Sequence, residues 1–143
     1  MIIIRKATLN DFESIYPFIN ELEETVFERE IQKNVFEAHV KNPANIYLIA
    51  EYDGNSVGFI SCHSQKLLHH GGQNIGEIQE MYVSPTYRSM GIGKKLLDEL
   101  KQVATQLGIQ QLEVTSGKKR KGAHHFYMRE NFMNTHEKFT LEL

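Results

Sequence analysis

The stretch Val83-Ser84-Pro85-Thr86-Tyr87-Arg88-Ser89-Met90-Gly91-Ile92-Gly93-Lys94-Lys95-Leu96-Leu97 decides the fold, because it joins two segments of opposite periodicity. Ile75–Val83, before it, reads as a strand closed by Ser84-Pro85. After it, Leu96, Leu97, Leu100, Val103, Ala104 and Leu107 fall on one apolar stripe at helical spacing, and Gly108 stands where a C-terminal cap belongs. Glycines between a strand and a helix let the backbone approach a ligand closely. The helix N-terminus offers unpaired N–H groups and a favourable dipole to an anion such as pyrophosphate. Arg88 and Lys94 add positive charge. Two familiar phosphate motifs fail: a Walker A loop needs glycine where Arg88 stands and Ser or Thr where Lys95 stands, and a dinucleotide fingerprint needs Gly or Ala at Leu96. On its own, the turn reads equally well as a phosphate site or as a plain connection.

Working outward, Ile2–Arg5 reads as a short strand, and Thr8-Leu9-Asn10-Asp11 as a cap for a helix carrying Phe12, Ile15, Ile19 and Leu22. Pro17 falls inside that helix and is expected to kink it or shift its start. A second helix is predicted over 30–41, ending before Asn42-Pro43. Ile46–Tyr52 and Val57–Ser64, around Asp53-Gly54-Asn55, form a hairpin; His69-His70-Gly71-Gly72 is a loop. Gln110–Thr115 is read as a strand, Gly122–Asn131 as a helix and Lys138–Leu143 as a final strand. No repeat, low-complexity tract or linker divides the chain, so residues 1–143 are expected to form one domain of mixed α/β class, with a sheet of both strand senses.

With these elements in place, the quoted stretch resembles the acetyl-CoA motif of the GNAT N-acetyltransferase superfamily, Arg/Gln-x-x-Gly-x-Gly/Ala after a strand ending in Val-x-Pro. The likeness runs from the Ile-Arg-x-Ala-Thr start, through the hairpin, to Ala123-His124-His125-Phe126-Tyr127-Met128-Arg129-Glu130-Asn131-Phe132. Asn131 replaces a usual glycine, and Arg120 stands where many members carry Asn. Several separated stretches are further similar to aminoalkylphosphonate N-acetyltransferases: Glu21–Phe27, Leu68-His69-His70, Ile75–Glu80 and Arg120–Tyr127. The resemblance implies an acyl-CoA fold, a central twisted mixed sheet flanked by helices. It also implies acetyl-CoA as cosubstrate, held by Met81, Tyr82, Val83, Arg88, Ser89, Met90, Gly91, Ile92, Gly93, Lys94, Arg120 and Tyr127. The narrower likeness implies a divalent metal.

Acetyl transfer to an amine needs a base, because an alkylammonium is not nucleophilic. Glu77 and Glu80 lie on the strand before the glycine turn. Three positions apart, they point to opposite faces of a regular strand. Either one serves alone as base, or a bulge brings both to one cleft. Backbone N–H groups around Met81–Val83 are candidates for an oxyanion hole. Tyr127, whose motif position outweighs a plain core role, is the candidate acid for the departing thiolate.

Of seven histidines, His63, His69, His70, His124 and His125 invite a metal reading, yet none has firm ligand spacing. The narrower resemblance points to His69 or His70, joined by a carboxylate, as ligands. Cys62 reads as a buried structural thiol, and a single cysteine forms no internal disulfide. No apolar stretch is long enough for a signal peptide or a membrane span, so the cytoplasm is the expected compartment.

Sixteen basic and eighteen acidic residues give a net charge of −2, which argues against a nucleic-acid or membrane-surface binder. That sum hides a separation. Residues 88–121 carry a local +5, suited to the phosphates of CoA, whereas residues 10–30 hold seven acids against Arg29, suited to a cationic amine. The expected acceptor is a small-molecule primary amine, an aminoalkylphosphonate or similar compound. Alternatives are a polyamine, an aminoglycoside, a protein amine, or a CoA-binding regulatory module without turnover. A homodimer is a habit of the family.

Overall fold

The elements follow the order in which the sequence alternates its periods. In the computed structural model, which describes residues 1–143, β1 (Ile2–Lys6) leads through a single 3-10 turn into α1 (Phe12–Leu22) and α2 (Arg29–Lys41). Then come β2 (Asn45–Tyr52), β3 (Asn55–Lys66) and β4 (Asn74–Val83), followed by α3 (Ile92–Gln106), β5 (Ile109–Val114) and α4 (Lys121–Arg129). The strands form one sheet in the order β1-β2-β3-β4-β5, with the first four pairing antiparallel. The helix α3 links β4 to β5, the crossover that joins parallel neighbours. The mixed sheet flanked by helices is therefore present. The chain groups into two units, Met1–Glu113 and Val114–Leu143. No helix is long and apolar enough to cross a membrane.

Local chemistry explains the first unit. Asp11 accepts the Thr8 N–H at 2.7 Å and two hydrogen bonds from the Arg5 guanidinium at 2.8 Å, tying the entry of α1 to β1. Pro17 sits inside α1, where it lacks an N–H for the carbonyl one turn back. Glu28 caps α2 by accepting the Ile31 N–H at 2.6 Å. Asp53 and Gly54 both adopt positive φ (48° and 85°), the twist a two-residue hairpin turn requires.

Both faces of the sheet are covered. Phe12, Ile15 and Phe36 of the first two helices pack with Tyr47, Ile49, Phe59 and Tyr82 of the strands. Leu96, Leu97 and Leu100 of α3 are fully buried, as are Ile60 and Cys62, whose side chains alternate to the other face. Gly76 is required there: a Cβ would fall 2.9 Å from Cys62 Sγ and 3.0 Å from Leu112 Cδ2.

In the second unit α4 ends in a Schellman motif. Phe132 N–H donates to the Tyr127 carbonyl at 2.9 Å and Asn131 N–H to that of Met128 at 3.1 Å. Asn131 takes φ +73°, so it performs the glycine's role at that cap. The expected final strand is corrected: Met133–Leu143 contains no strand, and Phe139, Leu141 and Leu143 are exposed. Their alternation has a strand's pattern, but no neighbour supplies its hydrogen bonds.

Candidate active site

The strand β4 carries the central feature. Ser61 pairs with Glu80, whereas Cys62 pairs with Ile78, so Gln79 is an extra residue bulged out of the ladder and exposed. One face of β3 bears Phe59, Ser61 and His63; opposite them on β4 stand Tyr82, Glu80 and Glu77. The bulge thus puts both glutamates on the face covered by α1 and α2, but in separate cavities rather than in the single cleft expected of a bulge.

Their surroundings differ. Glu80 lines a cavity of about 210 Å³ whose walls include Phe12, Ile15, Phe36 and Phe59, with Glu23 and Tyr47 also facing it. Burial raises the Glu80 carboxyl above its ordinary value and Glu23 reinforces this, while the Ser61 hydrogen bond and His39 oppose it. The Ser61 hydroxyl donates to Glu80 Oε1, and Glu80 N–H donates to Ser61 Oγ at 3.1 Å. Glu77 instead lines a cleft of about 310 Å³ with His39, His63, Gln79 and Glu113.

Four residues missed by sequence reasoning as a group complete this face. Tyr47, Ser61 and Glu80 form one row across β2, β3 and β4. The Tyr47 hydroxyl lies 3.0 Å from His39 Nδ1 and 3.0 Å from His63 Nε2. The only signal was the hairpin, and it misleads by one residue. Counting back from the Asp53-Gly54 turn puts Tyr47 opposite Ile60, but a register shift beyond Glu51 puts Ser61 there.

The turn after β4 has the form an anion site needs. Ser89 and Gly91 adopt positive φ (70° and 77°), and Gly91 is the N-cap of α3. The first backbone bond at this end runs from Lys95 N–H to the Gly91 carbonyl at 3.1 Å, so the amides of Ile92, Gly93 and Lys94 precede it. Met90 is exposed, and no acidic residue lies in the helix's first turn. Arg88 donates from Nε to the Val83 carbonyl at 2.8 Å and stacks over Tyr82, while Lys94 pairs with Asp98 at 3.1 Å. Of the strand end, Tyr82 is buried against Phe18, ring centroids 4.9 Å apart, with Met81 and Val83 half-buried on the other face. These residues fit a pyrophosphate-bearing cosubstrate.

In the second unit, Tyr127 is buried between the rings of Phe126 and Phe132. Burial pushes its phenol up to about 12, against the pull of Arg120. Cys62 is likewise pushed up to about 12 by burial, which makes it a packing thiol rather than a nucleophile.

The residues do not fit a metal ion. His69 and His70 lie side by side in a short 3-10 turn, ring centroids 4.5 Å apart, and no carboxylate joins them. No cluster of three or more His, Cys, Asp or Glu side chains forms anywhere. The acidic stretch is also partly committed to structure: Asp11 holds Arg5, Glu13 pairs with Arg29, and Glu28 caps α2. Only Glu23 among them faces the cavity of Glu80.

Comparison with known proteins agrees with this geometry. The model of the Acetyltransferase (GNAT) family matches residues 7–132. The aminoalkylphosphonate N-acetyltransferase of Salmonella typhimurium is 38% identical, over 98% of this chain and 90% of the relative. Among solved structures, a transcriptional regulator from Bacillus halodurans superposes with a TM-score of 0.90 at 21% identity, covering all of both chains. AAC(6')-Iy, solved with the bisubstrate analogue CoA-S-monomethyl-acetylneamine, superposes with a TM-score of 0.89 at 15% identity, over 100% of this chain and 98% of that one. The chain belongs to the GNAT acetyltransferase family and is an N-acetyltransferase.

Proposed function

We propose that this N-acetyltransferase passes the acetyl group of acetyl-CoA directly to the primary amine of a small aminoalkylphosphonate, with Glu80 as the general base. The observation that carries the chemistry is the position of Glu80, a carboxyl with raised proton affinity in an apolar cavity. A base is most effective when its pKa approaches the working pH, and burial moves Glu80 in that direction. The choice of acceptor rests on the likeness to the Salmonella typhimurium relative across nearly the whole chain.

The steps follow from the groups available. Glu80 takes a proton from the substrate ammonium, and Glu23 adds negative charge that favours a cationic amine in the cavity. The freed nitrogen lone pair forms a bond to the thioester carbon. Backbone N–H groups of Met81–Val83 donate to the resulting oxyanion. The amides and side chains of Arg88–Lys94 hold the pyrophosphate, with Arg120 as a further contact to the cosubstrate. Collapse of the oxyanion breaks the carbon–sulfur bond. Tyr127, by its place in the family motif, donates to the departing sulfur; its burial keeps the phenol protonated at every working pH. The ammonium loses two protons on becoming an amide. One leaves the site by way of Glu80; the other, shed by the nitrogen as the intermediate collapses, replaces the phenol proton that Tyr127 gave to sulfur.

Thiol release from acetyl-CoA, followed across small aminophosphonates, polyamines and aminoglycosides with and without divalent metal, tests this reading. Release that depends on an aminophosphonate is expected. Preference for a polyamine or aminoglycoside would overturn the acceptor assignment, and no acceptor-dependent release from any of them would overturn the reading itself.

A further inference from the structure

An aminoalkylphosphonate carries opposite charges at its two ends, and the walls of the Glu80 cavity answer only one of them. Glu80 and Glu23 suit the ammonium, but no lysine or arginine lines this cavity or the cleft of Glu77. We infer that Arg29, stacked on two rings of the cavity wall, binds the phosphonate and selects for an anionic acceptor. The inference rests on the aminoalkylphosphonate reading above.

Helical spacing and ring stacking fix the place of Arg29. Gln32, Phe36 and His39 of α2 line the cavity, and Arg29 precedes them on the same face of that helix. Its guanidinium carbon lies 5.1 Å from the centroid of the Phe12 ring and 5.7 Å from that of Tyr16, both of which wall the cavity. The start of α2 is held against α1. The Tyr16 hydroxyl donates to the Phe27 carbonyl at 2.5 Å, and Phe27 N–H donates to Asn20 Oδ1 at 3.1 Å. Phe27 is a further wall residue, so the chain on either side of Arg29 borders the cavity while Arg29 itself is exposed at its rim.

A guanidinium matches a phosphonate in shape as well as charge, since two of its N–H groups meet two oxygens at once. Only Nη2 of Arg29 is engaged, by the Glu13 carboxylate, which leaves Nε and Nη1 to donate. Both partners of that ion pair are exposed, so it is weak and a second anion competes for the guanidinium. Stacking on Phe12 and Tyr16 holds the cation in place while the phosphonate takes over from Glu13. The phosphonate thus stays at the solvent-facing rim, where its charge need not be buried, and the ammonium enters towards Glu80.

The test follows thiol release at saturating acetyl-CoA with aminoethylphosphonate as the varied acceptor, in wild type, Arg29→Gln and Glu13→Gln. Both substitutions break the same exposed ion pair, so a structural role for that pair moves both variants the same way. Arg29→Gln is expected to raise the KM for aminoethylphosphonate about tenfold or more, with kcat changed less than about threefold. Glu13→Gln frees the guanidinium and is expected to lower that KM severalfold. Ethylphosphonate, which lacks the amine, is expected to compete with the acceptor in wild type and to inhibit Arg29→Gln about tenfold more weakly. Equal KM values in all three proteins overturn the inference and leave the acceptor reading standing. A KM raised alike in both variants reduces the pair to a structural role and also overturns it. Wild type that acetylates no aminophosphonate removes the acceptor reading and the role of Arg29 together.

Discussion

Glu77 and Glu80, three residues apart on one strand, face the same side of the sheet because Gln79 is bulged out between them. The bulge gives one strand two acidic groups in different settings, one in an apolar cavity and one in an open cleft. That difference of surroundings, rather than their spacing, distinguishes the two carboxylates.

The raised proton affinity of Glu80 sets a pH dependence. The base works only when ionised, so turnover rises with pH through a midpoint above the ordinary carboxyl value of 4.5. Ser61→Ala removes the hydrogen bond that favours the carboxylate and moves the midpoint up. Glu23→Gln removes a neighbouring negative charge and moves it down. Profiles of kcat/KM against pH for the three proteins check both directions.

The glycine turn is tested at Gly91, whose φ of +77° an alanine adopts only at a cost of about 1–2 kcal/mol. Gly91→Ala is expected to raise the KM for acetyl-CoA severalfold while leaving that of the amine nearly unchanged. Steady-state kinetics with each substrate varied in turn separates the two effects.

Gly58 faces the strand end that precedes the turn. A Cβ there would fall 2.5 Å from the Tyr82 carbonyl oxygen and 3.2 Å from Val83 Cα. Gly58→Ala therefore forces β3 from β4 and is expected to destabilise the fold by about 1–3 kcal/mol, measured by denaturant unfolding.

Asp11 anchors the first helix to the first strand. The Arg5 guanidinium and the Thr8 N–H hold its carboxyl below the ordinary value, although burial works the other way. Its contribution is fully present above the unfolded carboxyl pKa and is lost as pH falls through the lowered folded value. Asp11→Asn is expected to cost about 2 kcal/mol near neutral pH, and the difference from wild type is expected to vanish in strong acid. Unfolding curves across that range measure it.

Much of this molecule was legible in its sequence, because local periodicity and turn chemistry decide most elements. The stripe from Leu96 to Leu107 is α3 in the structure, Asp53-Gly54 closes the hairpin, and Asn131 caps α4 as its place in the motif implies. What could not be read depends on register between strands. Gln79 is an ordinary residue in the sequence; only the pairing of Ser61 with Glu80 and of Cys62 with Ile78 makes it a bulge. Tyr47 and His63 sit sixteen residues apart and meet only because the hairpin shifts by one beyond Glu51. The Lys138–Leu143 segment fails for the converse reason, since alternation alone does not supply the partner a strand needs.

Comparing Glu80→Gln with Glu77→Gln in thiol release from acetyl-CoA, with a small aminophosphonate as acceptor, tests the central claim most directly. The account predicts that Glu80→Gln loses about a hundredfold or more in kcat with the KM for acetyl-CoA little changed, and that Glu77→Gln keeps most of its activity. Wild-type turnover in Glu80→Gln, or a greater loss in Glu77→Gln, would contradict it.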